Sequence, residues 1–204
     1  MNWNTALKST AFRRQFLSSL LLLALILAGT FFVLAYAEHR EGKIIERGWL
    51  NGFVPRDFSA VIFTATYGAV VLGLAMTLRD PSKTLWLLRA YLLLQLLRCF
   101  TLLLVPLDPP QGILPLHDPL LQHSFYDGRQ NLKDLFFSGH VATILLFFFL
   151  AEAKWTRLIF VTAALIAATL LILQRVHYTA DVVAAPVFAW LAVWLARRWN
   201  SSGK

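Results

Sequence analysis

The chain is short of cysteine, of charge and of polar sequence. Its 204 residues hold one cysteine, Cys99, so no intrachain disulfide can form. Asp, Glu, Lys and Arg together make up 15%, with 19 basic residues against 11 acidic ones. No long polar domain, low-complexity tract or internal repeat is visible. No His-x-His or His-Glu-x-x-His spacing marks a metal site, although His140, His177, Asp181 and loop histidines together leave one conceivable. What fills the chain instead is apolar: 58% of its residues are hydrophobic, more than the interior of a soluble domain of this size can hide.

Apolar runs of about 20 residues are the mark of transmembrane helices. Six are expected, over residues 16–37, 58–78, 84–105, 135–151, 157–174 and 179–196, which makes residues 1–204 a single all-α integral membrane domain. Lys8, Arg13 and Arg14 precede a run ending in Ala35-Tyr36-Ala37, a pattern shared by an uncleaved first helix and by a cleaved leader over residues 1–37; the uncleaved helix is the reading adopted. The net charge of +8 is read as topology and not as nucleic-acid binding, because the basic residues flank apolar segments. With the N-terminus inside, ten Lys and Arg residues lie on the inner side and seven on the longer outer loops. Trp3, Trp86, Trp155 and Trp199 then form an inner aromatic belt.

Two arginines fall inside the third span. Arg89 is near its inner end and is expected to snorkel. Arg98 is deeper, and a charge there needs a partner or a wet cavity. The outer loop over 106–134 carries Pro106, Pro109, Pro110, Pro115 and Pro119, so it is stiff and non-helical. It also carries Asp108, His117, Asp118, His123, Asp127, Arg129, Lys133 and Asp134, which suit either a solvated cap or a lid over a lipid head group.

Three sequence-distant segments converge on the outer side. Ser138-Gly139-His140 opens the fourth span, Arg175 to Asp181 opens the sixth, and Arg98 approaches from the third. His177 and Asp181, four apart, share a helix face if the sixth helix begins by His177, and a carboxylate there can fix the tautomer of the imidazole. Such an imidazole can attack phosphorus, and His140 can protonate the leaving oxygen. Ser138 and Gly139 lie at a helix N-terminus, which suits a phosphate, and Arg98 and Arg175 can neutralise its oxygens. Plainer readings stand beside these: a structural His177–Asp181 pair, an interfacial His140, a capping Ser138 with a close-packed Gly139, a structural ion pair for Arg98, and Asp134 as the N-cap of the fourth span.

These residues carry a family resemblance. Ser-Gly-His at one helix start and His-Tyr-Thr-Ala-Asp at a later one resemble the type-2 phosphatidic acid phosphatase superfamily. DLFFSGH (134–140), HYTADVV (177–183) and RCFTLLLVPLDPP (98–110) are similar to motifs of its sphingomyelin synthase branch, and VPRDF (54–58) is a weaker echo. The sequence departs from the pattern in places. The superfamily's Lys-x6-Arg-Pro motif is absent, Leu171 stands where its arginine precedes the histidine, and Val141 follows Ser-Gly-His in place of threonine.

The resemblance implies a six-helix bundle of the type-2 phosphatidic acid phosphatase kind. It implies His177 as nucleophile, Asp181 as its orienting partner and His140 as general acid, with no cofactor. The expected activity is a lipid phosphotransferase of the sphingomyelin synthase-like kind, acting through a phosphohistidine at the outer leaflet on a phospholipid or lipid phosphate, with a lipid hydroxyl as acceptor. The alternatives are a lipid phosphate phosphatase using the same site and a non-catalytic lipid-binding protein. The expected location is a bacterial inner membrane with the site facing the periplasm.

Overall fold

The computed structural model describes residues 2–45, 54–118 and 131–201. They form seven helices: α1 (Trp3–Lys8), α2 (Thr10–His39), α3 (Ser59–Thr77), α4 (Pro81–Leu104), α5 (Gly139–Leu150), α6 (Lys154–Leu173) and α7 (Thr179–Ser201). The short α1 was not expected from hydropathy. It exists because Asn2 caps it through the Thr5 amide, while Ser9 ends it and caps α2 through the Phe12 amide. Trp3 then reaches the turn after α3, donating from Nε1 to the Leu78 carbonyl at 2.7 Å. The Ser9 cap also starts α2 six residues before the apolar run, so 30 residues are helical. At 1.5 Å per residue that is about 45 Å, longer than the hydrocarbon core of about 30 Å.

Five helices, α2, α3, α4, α6 and α7, are long and apolar enough to cross a membrane. The expected span over 135–151 is the exception. Its helix α5 has 12 residues, or about 18 Å of rise. The four residues before it run into the bundle without helical geometry, and two of their backbone groups are met by other helices. Ser138 N–H donates to the Asp181 carbonyl at 3.1 Å, and the Phe136 carbonyl accepts from Thr101 Oγ1 at 3.0 Å. Leu135, Phe137 and Ser138 are buried. Irregular backbone at membrane depth is tolerated only under such cover.

That placement makes α5 the axis of the bundle. It packs on α3, α4, α6 and α7, and Ala142, Ile144 and Leu146 are fully enclosed. At Gly73 on α3 an added Cβ would collide with the Phe147 ring, so α3 and α5 meet in direct contact. Helix α2 lies at the edge with α4 as its main partner, and it turns Leu17, Leu21 and Phe32 outward. At the end of the bundle holding both termini, Lys83 and Glu152 pair at 2.9 Å, Arg197 lies over the Trp86 ring and Arg89 over the Trp199 ring. Arg89 is not snorkelling: it is 4% exposed, tied to Ser19 and Gln15 of α2 and to Asn200 of α7.

Candidate active site

The late start of α5 leaves a hollow above its N-terminus. A cavity of about 310 Å³ opens there, and Arg98, Gly139, His140 and His177 all line it. Three helix ends bring them together. Arg98 sits on the last two turns of α4, Gly139 and His140 open α5, and His177 lies in the turn from α6 to α7. Gly139 lets the guanidinium approach closely: a Cβ there would come within 2.6 Å of Arg98 Nη1 and push the side chain aside. The guanidinium therefore lies directly against the start of α5, where the first amides of a helix lack intrahelical partners.

Asp181 supports His177 from behind. It is fully buried, and its Oδ2 lies 3.4 Å from His177 Nδ1. The same oxygen accepts the Tyr178 amide at 2.9 Å, reaching back over the first turn of α7 as one half of a capping box does. Asp181 thus fixes the helix start and the imidazole together. The helix begins at Thr179, so His177 precedes it and the pair meets across the turn into α7 and not along a shared helix face.

Two residues lie apart from that group. Ser138 holds the N-cap position of α5, but its hydroxyl makes no capping bond; it is buried without a hydrogen-bond partner and does not line the cavity. Arg175 also lies outside the lining. Its backbone is in the left-handed region, at φ 61°, where the chain turns between α6 and α7, and its Nη1 donates to the Gln111 carbonyl at 3.1 Å. It fastens the 110–112 turn.

Asp134, expected as a helix cap, is instead the ion-pair partner of Arg98, because α5 begins five residues later, with Ser138 at its N-cap. The outer loop divides. Residues 113–118 roof the cavity, whereas Pro119, His123, Asp127 and Arg129 lie outside the described residues. The roof is pinned from several sides. Buried Gln174 donates to the Leu114 carbonyl at 3.1 Å, and its backbone carbonyl accepts the Leu114 amide at 3.2 Å. His117 N–H donates to Ser59 Oγ at 3.1 Å, and Tyr67 OH donates to Asp118 at 2.9 Å. Hydrogen bonds from Ser59 hold the Asp57 carboxyl below its ordinary 3.8, with His117 Nδ1 3.4 Å away. On the other flank, Lys133 Nζ lies 2.7 Å from Asp108 Oδ1 and lowers that carboxyl as well.

The sequence reading missed the deeper cavity wall. Tyr91 and Gln95 line it below Arg98. The spacing 91, 95, 98 is one face of a helix, so three polar side chains in register along an apolar span were a signal available in the sequence. Among the described residues no group of three or more His, Cys, Asp or Glu side chains is placed to hold a metal ion.

No curated protein and no solved structure matches the chain. Residues 133–198 match the family model of the PAP2 superfamily C-terminal domain, a stretch that contains His140, His177 and Asp181 and leaves out Arg98 and the roof. The match supports the type-2 phosphatidic acid phosphatase superfamily, whose members are phosphatases or phosphotransferases, and is consistent with an enzyme acting on lipid phosphates.

Proposed function

We propose that the protein is a membrane lipid phosphotransferase of the sphingomyelin synthase-like kind. The observation that carries the reading is one cavity lined by His140, His177 and Arg98, with buried Asp181 against the far nitrogen of His177. With Nδ1 held by Asp181, Nε2 is the nitrogen for attack on phosphorus. In the first step the N–P bond forms and the P–O bond to the leaving group breaks. His140 delivers the proton to that oxygen. In the second step an acceptor hydroxyl loses its proton to His140, its oxygen bonds to phosphorus, and the N–P bond breaks. Arg98 and the first amides of α5 balance the charge on the remaining oxygens, which is most of what such a transition state requires.

Membership of the synthase-like branch rests on the Asp134-to-His140 and His177-to-Asp181 motifs and on the Arg98 segment. In this reading α5, with the irregular residues before it, completes a sixth crossing. The site faces the outer leaflet, and in a bacterial inner membrane that is the periplasmic side. The Lys and Arg bias of the loops supports this orientation.

The test is a transfer assay. Purified protein is incubated with a phospholipid radiolabelled in its head group, with and without ceramide or diacylglycerol. A new labelled lipid that appears only with acceptor supports transfer. Labelled phospho-head group released to water, or free labelled phosphate when the donor is phosphatidic acid, makes the protein a hydrolase with the same site. No product, or activity unchanged in His177→Ala, removes the catalytic reading.

A further inference from the structure

The cavity does not end at the histidines. Three helices carry it inward on matching stripes: Arg98, Gln95 and Tyr91 on α4, Tyr67 and Val70 on α3, and His140 and Thr143 on α5. Helix α4 runs opposite to α3 and α5 across the bundle, so descending numbers on α4 and ascending numbers on the other two follow the same direction. Tyr91 lies seven residues from Arg98, about 10 Å along the axis.

Gln95 is the unusual residue of this descent. It is 7% exposed, in the middle of an apolar helix, and its Nε2 donates to Tyr91 OH at 2.6 Å. That bond uses one of its two N–H groups and leaves its carbonyl oxygen. A polar side chain at this depth is costly unless something satisfies it, and in membrane helices such groups mark substrate paths. The wall beside it is also a thin seam of the bundle. Helix α3 packs chiefly on α6 and α5, α4 chiefly on α2 and α7, and α3 and α4 barely meet.

The distances match a lipid. Gln95 is three residues from Arg98, about 4.5 Å deeper. In a phospholipid or lipid phosphate, the first carbonyl or hydroxyl of the backbone lies a few bonds from the phosphate oxygen. With phosphate beside Arg98 and the histidines, that group falls level with Gln95, and the acyl chains continue past Tyr91 and Val70 toward the α3–α4 seam.

We propose that Gln95, anchored by Tyr91, is the subsite that binds the backbone carbonyl or hydroxyl of the lipid and so selects lipids over other phosphate esters. The proposal rests on the phosphoryl-transfer reading for the position of the phosphate. It assigns Gln95 a binding role and no part in bond making.

The test is equilibrium binding to the full-length protein, followed by native mass spectrometry. The probes are an ester-linked phosphatidic acid and its ether-linked counterpart, which lacks both carbonyls. Wild type is expected to hold the ester lipid roughly fivefold more tightly, the scale of one neutral hydrogen bond. Gln95→Leu should bring the two lipids level while leaving binding of the ether lipid unchanged. Tyr91→Phe, which keeps the ring, should reduce the preference in part, and it decides the matter if Gln95→Leu fails to fold. Equal binding of the two lipids by wild type, or a preference that survives both substitutions, overturns the proposal. The same samples are assayed for released phosphate and new lipid. A preference without turnover removes the catalytic reading and keeps the subsite. Turnover without a preference does the reverse.

Discussion

Helix α4 carries two arginines that the membrane treats in opposite ways. Arg89 and Arg98 are nine residues apart, about two and a half turns, and so lie on opposite faces. Arg89 has no carboxylate among its hydrogen-bond partners. Its guanidinium is taken up by the Ser19 hydroxyl, the Gln15 and Asn200 side-chain oxygens and the face of Trp199, which join α2, α4 and α7. Arg98 faces a carboxylate, Asp134, and lines a cavity with two histidines. The first arrangement spreads one charge over neutral groups of two neighbouring helices and acts as a joint. The second concentrates charge beside a space large enough for a ligand. Both side chains are largely removed from solvent; the chemistry of the partners separates them.

The comparison fails if chemistry does not follow Arg98 and its neighbours. The largest effect is expected at His177: His177→Asn should lower turnover by ~10⁴-fold or more, the scale seen when a covalent nucleophile is removed. The folded fraction, read by size exclusion, should not change. Next comes Arg98. Arg98→Gln should reduce kcat/KM by ~10²-fold to ~10³-fold, as loss of a donor to a transition-state oxyanion does. It also strands Asp134 without its partner, so Arg98→Gln/Asp134→Asn should recover stability lost in the single variant without recovering rate. If the double variant recovers rate, Arg98 serves only to neutralise Asp134, and the contrast with Arg89 disappears.

How much of this was visible in sequence depends on whether a feature is local. The helices could be read because apolar runs are contiguous, and His177 with Asp181 because i to i+4 is a local relation. The truncation of α5 could not. Leu135, Phe136 and Phe137 are as apolar as the helix they precede, and only the bonds from Ser138 to Asp181 and from Thr101 to Phe136 show why they leave helical geometry. Asp134 was misjudged for the same reason, since a cap was assigned to a helix that starts later. Arg175, with its backbone in the left-handed region, reaches the Gln111 carbonyl, a contact 64 residues away that spacing does not reveal. Arg89 was expected to snorkel because Gln15 and Asn200 lie far from it in the chain. Gln95 and Tyr91 were legible and overlooked, since their spacing with Arg98 is local.

A smaller effect belongs to the joint. Arg89→Met removes hydrogen bonds to three side chains, each worth about 0.6 kcal/mol on average inside a membrane protein, so a loss of about 2 kcal/mol is expected. Turnover measured below the unfolding temperature should stay within about twofold, because no group of the cavity is touched. A collapse of activity in the folded variant would mean that the two arginines are coupled through α4, and that the distinction between joint and site does not hold.

The smallest effect concerns pH, and it too divides the two ends of the molecule. The roof at the outer end is held partly by an ionised group: Asp57 accepts from Ser59 and lies 3.4 Å from His117. The Ser59 hydrogen bonds, aided by His117, lower the Asp57 carboxyl below 3.8 in the folded protein despite some burial. A depressed carboxyl stabilises the fold fully above the unfolded value and loses that contribution as pH falls through the folded one. The wild type should therefore be more stable than Asp57→Asn near neutrality, and the gap should close as pH drops below 3.8. Asp57 is half exposed, so the gap is small. The Arg89 joint has only neutral partners, and the loss caused by Arg89→Met should be the same across that range. Thermal unfolding of both variants and wild type from neutral to acid pH measures the two trends together. Parallel curves for Asp57→Asn and wild type down to the lowest pH would show that the ionised Asp57 carboxylate does not help to hold the roof.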